Sequence, residues 1–282
     1  MKKWAVSAIV YLLLVVGGYT LYSQVFQPDN EASNEHNENH EKDTTSEEHG
    51  DHGEASTETA SDEVHGEGLH ESEVNVDIKS EGDTITISLK DNDGRPVNEL
   101  EINHEKLLHL IIVGSDMETY RHLHPQRISE GMFEADHDLT EGSYKAFVDF
   151  KPINKKYHVE PIPFKVGQQN GEHHQPKLTE SDDFTINNSG HQVTLTPSSF
   201  KAGKEVQLNF DLNGEVSEQY LGALGHVVIV DSNAQEYLHV HPLEGKEPVF
   251  ATTFEEPGLY KLWAEFKFDG EVFVFPYVIR VQ

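Results

Sequence analysis

The chain has 282 residues, enough for two domains of ordinary size and further segments. Its 50 acidic residues against 21 basic ones give a net charge of −29, which argues against nucleic acid or an anionic membrane face as a partner. It has no cysteine, which excludes disulfides, thiolate metal sites and lipid attachment at an N-terminal cysteine. Eighteen histidines are a strong excess, and histidine is the commonest protein metal ligand.

Lys2 and Lys3 precede an almost uninterrupted apolar stretch from Trp4 to Tyr22. As a helix it would span about 28 Å, close to the ~30 Å hydrocarbon core of a bilayer. It ends in aromatic residues rather than a small-residue cleavage site, so residues 1–26 are expected to form an uncleaved transmembrane anchor. The two lysines would hold the N-terminus in the cytoplasm, placing the rest outside in a single-pass cell-membrane protein. Residues 27–72 carry 15 acidic residues against the single Lys42 and almost no large apolar side chain. Such a segment cannot bury enough surface to offset chain entropy and is expected to be a disordered tether. Its histidines (36, 40, 49, 52, 65 and 70) can attract divalent metal weakly, or simply solvate a spacer.

From Glu73 the texture changes to short alternating runs. Val74–Ile78 and Thr84–Leu89 read as half-buried strands, with Asp91-Asn-Asp-Gly94 and Pro96 as turn chemistry. Leu107 to Val113 is apolar on both faces apart from His109, which suits a central strand. Glu99 to Leu110 is the one candidate for a helix, although it can also end in a strand. Phe133, Tyr144 to Phe150 and Tyr157 to Val166 continue the strand pattern. The first domain is therefore set at 73–167 and a linker at 168–181. The second domain, 182–282, has about eight strand-like runs with turn signals between them. The expected fold is all-β: two tandem immunoglobulin-like, or cupredoxin-like, β-sandwiches of one topology.

That shared topology rests on an internal duplication. Tyr120-Arg-His122-Leu-His124-Pro125 returns as Tyr237-Leu-His239-Val-His241-Pro242, 117 positions later. His109 and His226 each lie 13 residues before the first histidine of the pair, and each opens an apolar run. Phe133 and Phe250, Gly142 and Gly258, Tyr144 and Tyr260, and Asp149 and Glu265 extend the match, with one residue lost from the second copy.

Side chains two apart on a strand share a face, so His122 and His124 project together with Tyr120, while Leu123 points to the core. Pro125 ends the pairing and leaves the two imidazoles near a sheet end. His239, His241 and Pro242 repeat the arrangement. His109 and His226 can each supply a third nitrogen from a neighbouring strand. Three neutral imidazoles suit Zn or Cu(II). The candidate metal ligands are thus His109, His122, His124, His226, His239 and His241, with one ion per domain or one site shared between them. The bland alternative is that these are hydrogen-bonded strand-end residues copied with the rest of the repeat. Cu(I) is disfavoured, since the chain offers no thiolate and Met117 has Ala234 as its counterpart. A blue-copper centre is excluded for want of cysteine. Asp149 and Glu265 are candidates for a fourth ligand or an outer acceptor, against the ordinary reading of solvated charges on an outer face.

Tyr220-Leu-Gly-Ala-Leu-Gly-His226, with Tyr237-Leu-His-Val-His-Pro242 and Gly258-Leu-Tyr-Lys-Leu-Trp263, resembles secreted or membrane-anchored bacterial proteins often described as heavy-metal- or copper-associated. His122-Leu-His-Pro125 and Gly142-Ser-Tyr-Lys-Ala-Phe-Val-Asp149 look like the same module, loosely similar to YtkA-like and copper-resistance C-type β-sandwiches. The resemblance covers roughly 73–282 and implies an extracytoplasmic sandwich linked to metal handling. The histidine expected at a mature N-terminus of the copper-resistance C-type proteins is missing, so that site does not transfer.

The expected function is therefore a membrane-anchored extracytoplasmic protein binding Cu(II) or Zn, for buffering, delivery or resistance, with an extracytoplasmic protein as a conceivable partner. The alternative is a non-metal interaction module for a protein or wall polymer. No nucleophile elbow and no H-E-x-x-H motif is present, so no enzymatic activity is expected.

Overall fold

The computed structural model describes residues 72–167, 178–245 and 247–282, all within one compact unit, Glu58–Gln282. The expected anchor, and the expected tether up to residue 71, lie outside the described residues. Among the described residues there are strands and loops and no helix. No helix there is long and apolar enough to cross a membrane.

The first repeat contains β1 (Val74–Glu81), β2 (Thr84–Asp91), β3 (Leu100–Glu101), β4 (His109–Gly114), β5 (Tyr120–Leu123), β6 (Gln126–Ser129), β7 (Met132–Asp136), β8 (Gly142–Asp149), β9 (Lys151–Pro152) and β10 (Ile162–Val166). The second contains β11 (Thr185–Asn188), β12 (His191–Pro197), β13 (Glu205–Asp211), β14 (His226–Asp231), β15 (Tyr237–Val240), β16 (Val249–Thr253), β17 (Gly258–Phe268) and β18 (Glu271–Val281). Each repeat is a β-sandwich of two four-stranded sheets. The orders are β1-β2-β7-β6 over β10-β8-β4-β5, and β11-β12-β13-β16 over β15-β14-β17-β18. Equivalent residues occupy equivalent registers: Phe133 lies beside Ile87, and Phe250 beside Leu208. The duplication is thus a duplication of topology, decorated by β3, β6 and β9 in one copy and β11 in the other.

Glu99 to Leu110 is not a helix. Leu100–Glu101 pairs with β9, and residues 103–106 close a tight turn in which His104 and Glu105 both have positive φ. The apolar spacing that suggested a helix comes from Leu100 and Leu108, which reach the same core from a bent chain.

Each sandwich has its own core. Ile85, Ile87, Leu110, Ile112, Phe133 and Val148 fill the first; Val193, Leu208, Val227, Ile229, Phe250 and Phe266 fill the second. The alternate residues of the same strands do not face water. Ile111, Val113, Tyr120 and Phe147 form a third cluster with Val228, Val230 and Trp263. The sheet carrying β4 and the sheet carrying β14 therefore pack on each other, and each is buried on both faces. This is why the runs of β4 and β14 are apolar at every position, where a sandwich sheet with one solvated face would alternate. The interface is nearly two-fold: Tyr120 stacks on Trp263 with centroids 4.8 Å apart, and its counterpart Tyr237 stacks on Phe147 at 4.9 Å.

Trp263 is 1% exposed and fills the middle of this interface. Replacing it by Ala should cost about 3–5 kcal/mol of unfolding free energy, as large-to-small core changes do. Denaturant unfolding measures this; a loss below about 1 kcal/mol would mean the sheets are not packed as described.

Candidate metal centre

The strand periodicity that sends Ile111, Phe147 and Tyr120 into the interface sends the histidines there too. His109 is paired with Asp149 across β4 and β8, and Ile111 with His122 across β4 and β5. In the second repeat His226 is paired with Glu265, and Val228 with His239. His124 and His241 follow the last residues of β5 and β15. All six predicted ligands meet at one end of the interface. His109 lies 5.2 Å from His122, 5.1 Å from His124 and 5.2 Å from His239, ring centre to ring centre. His226 lies 5.7 Å from His239, 5.3 Å from His241 and 5.9 Å from His122. Two trios have ligand nitrogens within 4.8 Å of one another: His109, His122 and His239, and His226, His239 and His241. Both groups can hold a metal ion. His124 stands beside the first trio but belongs to neither.

The two carboxylates of the repeat are exchanged between domains. His122 Nδ1 is hydrogen-bonded to Glu265 Oε2 at 2.7 Å, and His239 Nδ1 donates to Asp149 Oδ2 at 2.9 Å. Neither carboxylate is a solvated charge on an outer face: the side chain of Glu265 is 4% exposed and that of Asp149 16%. The sheet face that would be outer in an isolated sandwich is here the interface. Tyr237 also donates to Asp149 at 3.3 Å, bracing it further.

These bonds commit the ring nitrogens. His109 Nε2 lies 3.0 Å from the carbonyl oxygen of Asn103, which can only accept, so the proton of His109 is on Nε2 and its lone pair is on Nδ1. His239 Nδ1 donates to Asp149, so its lone pair is on Nε2, which is buried with no hydrogen-bond partner. When Glu265 is ionised and accepts from His122 Nδ1, His122 Nε2 and His109 Nδ1, 3.0 Å apart, face each other lone pair to lone pair. A cation relieves this opposition. Nitrogens ~2.0–2.1 Å from one ion stand roughly 2.9 Å apart in a square plane and roughly 3.3 Å apart in a tetrahedron, so the observed gap fits both geometries.

Without a metal a proton has to serve. Burial pushes the Glu265 carboxyl up to about 7, against the pull of His239, His124 and Tyr120. Protonated Glu265 donates to His122 Nδ1, and His122 Nε2–H then donates to His109 Nδ1. Asp149 is different: burial raises it, but the hydrogen bond from His239 prevails and holds it at about 2, ionised. Burial drives His109 down to about 2 and His124 to about 3, each helped by neighbouring imidazoles. His122 and His226 are lowered strongly, again chiefly by burial. These rings are therefore neutral at pH 7, the form that binds metal.

One ring at the site escaped sequence reasoning. His104 is stacked on His241 with centroids 3.2 Å apart. It sits with Glu105 at the tip of the turn before β4, both at positive φ (46° and 64°), where the matching turn before β14 has Leu221 and Gly222 at 52° and 76°. The isolated bridges Asn103–Lys106 and Tyr220–Ala223 close the two turns alike. The available signal was that a position needing left-handed backbone carries His-Glu in one copy and Leu-Gly in the other, a cost without a structural return.

The family described as Domain of unknown function (DUF8832) matches twice, over residues 69–168 and 185–282. The chain belongs to this family. The two DUF8832 segments coincide with the two sandwiches, so the site lies between two copies of one family domain. No curated protein matches the sequence. Among solved structures, a two-domain fibronectin type-III segment from chicken tenascin is similar at 8% identity, covering 75% of this chain and all of that one with a TM-score of 0.25. At that score the fold rests on the strand order given above.

Two outcomes follow from the site. A metal ion bound by the first trio would replace the proton held by Glu265, so its uptake below about pH 7 should release about one proton and its apparent affinity should fall about tenfold per pH unit there. Calorimetry in buffers of different ionisation enthalpy measures the proton, and zero release at pH 6 contradicts the scheme. Separately, Glu105→Gly, which gives the turn the residue of its duplicate, should raise unfolding free energy by about 1 kcal/mol. No gain on thermal unfolding would mean that the left-handed backbone carries no strain.

Proposed function

We propose that this is an extracytoplasmic metal-binding protein whose principal site takes one divalent ion, Cu(II) or Zn, between its two domains. The observation that carries it is the set of three acceptors behind the first trio. The Asn103 carbonyl and Asp149 each take the outward proton of one imidazole, and Glu265 does the same for His122 once it gives up its own proton, so that all three lone pairs can turn inward. Metal-ligating histidines have this support almost without exception. Histidines that merely satisfied strand ends would not leave His239 Nε2 and both ring nitrogens of His226 buried without a hydrogen-bond partner beside them, since each unpaired polar atom costs free energy. The two carboxylates also match the charge of one divalent ion, and the ligand set is all nitrogen, which suits Cu(II) or Zn over Cu(I).

The remaining parts of the reading are sequence-borne. The lysine-flanked apolar stretch supports a membrane anchor with the domains outside the cell, and the acidic, histidine-rich segment after it supports a tether that gathers metal. The likeness of the H-x-H-P and G-x-Y portions to copper- and heavy-metal-associated proteins supports a role in buffering, delivery or resistance, on an immunoglobulin-like scaffold that binds rather than catalyses.

Thermal unfolding separates this site from weak binding by the tether, because only an ion held by folded residues raises stability. At a free metal concentration 100-fold above Kd the stabilisation is about 2.7 kcal/mol. The protein, purified without an affinity tag, should show this with copper or zinc and lose it in the His122→Gln/His239→Gln double variant. A metal-independent melting temperature, or a shift that survives both substitutions, would refute the reading.

A further inference from the structure

The second trio differs from the first in ways that bear on how an ion moves. His226 is fully buried, yet neither of its ring nitrogens has a hydrogen-bond partner. Its counterpart His109 is fixed by the Asn103 carbonyl, whereas the matching carbonyl, that of Tyr220, makes no bond to His226. The His226 ring is thus uncommitted and can offer either nitrogen. His241 lies past the end of β15 and is part-buried, as His239 is, and His104 is stacked on it. Each trio has one buried and two part-buried members, but the buried member of the first is anchored and that of the second is not.

The two trios share His239, and Asp149 occupies its Nδ1. One lone pair remains, on Nε2, and a lone pair coordinates one ion. Charge sets the same limit. Asp149 and Glu265 supply two negative charges, which balance one divalent cation; a second would leave an uncompensated double charge among the buried side chains of the interface.

Resting on the metal reading above, we propose that the cluster is a transfer site: one divalent ion with two overlapping positions. The inner position is His109, His122 and His239, and the outer is His226, His239 and His241. The ion passes between them by exchanging two imidazoles while His239 stays bound, and it enters and leaves through the outer position, whose buried ligand His226 is not anchored. This distinguishes the centre from a closed structural zinc site, whose ligands are all committed to a single position. It assigns the protein to delivery and exchange of the ion rather than to permanent storage.

Zinc or copper titration of the full chain against a competing chelator, together with the rate at which the chelator strips the ion, tests this on His109→Gln, His241→Gln and His239→Gln variants. The wild type should bind one tight equivalent. His109→Gln should keep one equivalent at the outer position, weakened about tenfold or more, with an altered Cu(II) paramagnetic resonance spectrum. His241→Gln should keep nearly the wild-type affinity but release the ion about tenfold more slowly, and His239→Gln should lose the tight equivalent. Metal-free melting temperatures report whether each variant folds; if His239→Gln does not, the contrast between the other two carries the test. Two tight equivalents in the wild type, complete loss in His109→Gln, or an unchanged release rate in His241→Gln would overturn the two-position scheme while leaving metal binding intact. Absence of any tight equivalent in the wild type would overturn the metal reading itself, and this proposal with it.

Discussion

The structure depends on one packing constraint: the β4 sheet and the β14 sheet press against each other, so that each is buried on both faces. A sheet face that would otherwise meet water becomes an interior, and every polar residue on it must find a partner inside. Histidines and carboxylates at one end of that face are therefore enclosed. Because the two domains are copies, the residue that satisfies a group in one domain is the counterpart of the residue it displaces in the other. Glu265 serves His122, and Asp149 serves His239. Duplication followed by face-to-face packing builds a cross-braced centre that neither copy contains alone.

The departures from two-fold symmetry are as informative as the symmetry. Asp149 is held ionised and Glu265 is raised toward neutrality, although both face an imidazole. Asn103 anchors His109, whereas nothing anchors His226. His104 covers His241, and its counterpart Leu221 is apolar. Each difference falls within a few residues of the histidines, while the stacked aromatic pairs farther along the interface keep their near-equivalence. The interface holds the domains in place, and the copies differ where the imidazoles meet.

Much of this was legible in the sequence. The strands of the second repeat fall where the alternating and unbroken apolar runs place them, because turn residues separate those runs. The six histidines could be named from the repeat, and period-two geometry put His122 and His124 on the Tyr120 face. What alternation cannot say is what lies against that face. The unbroken apolar runs after His109 and His226 did hold the clue, since β4 and β14 would alternate if one side were wet. Read as central strands of isolated sandwiches, they hid the interface and made Asp149 and Glu265 look solvated. His104 was hidden for another reason: its place at the site comes from a left-handed turn, which is a backbone property, and from His241 in the other repeat. The supposed helix at Glu99–Leu110 failed for that same turn.

The central claim is that lone pairs from both domains converge on one point. Anomalous diffraction from crystals of the metal-loaded protein locates that point directly. The account predicts a peak between the domains, about 2.0–2.1 Å from His109 Nδ1, His122 Nε2 and His239 Nε2. A peak confined to one domain's own histidines, or peaks only on ligands outside the interface, would contradict it.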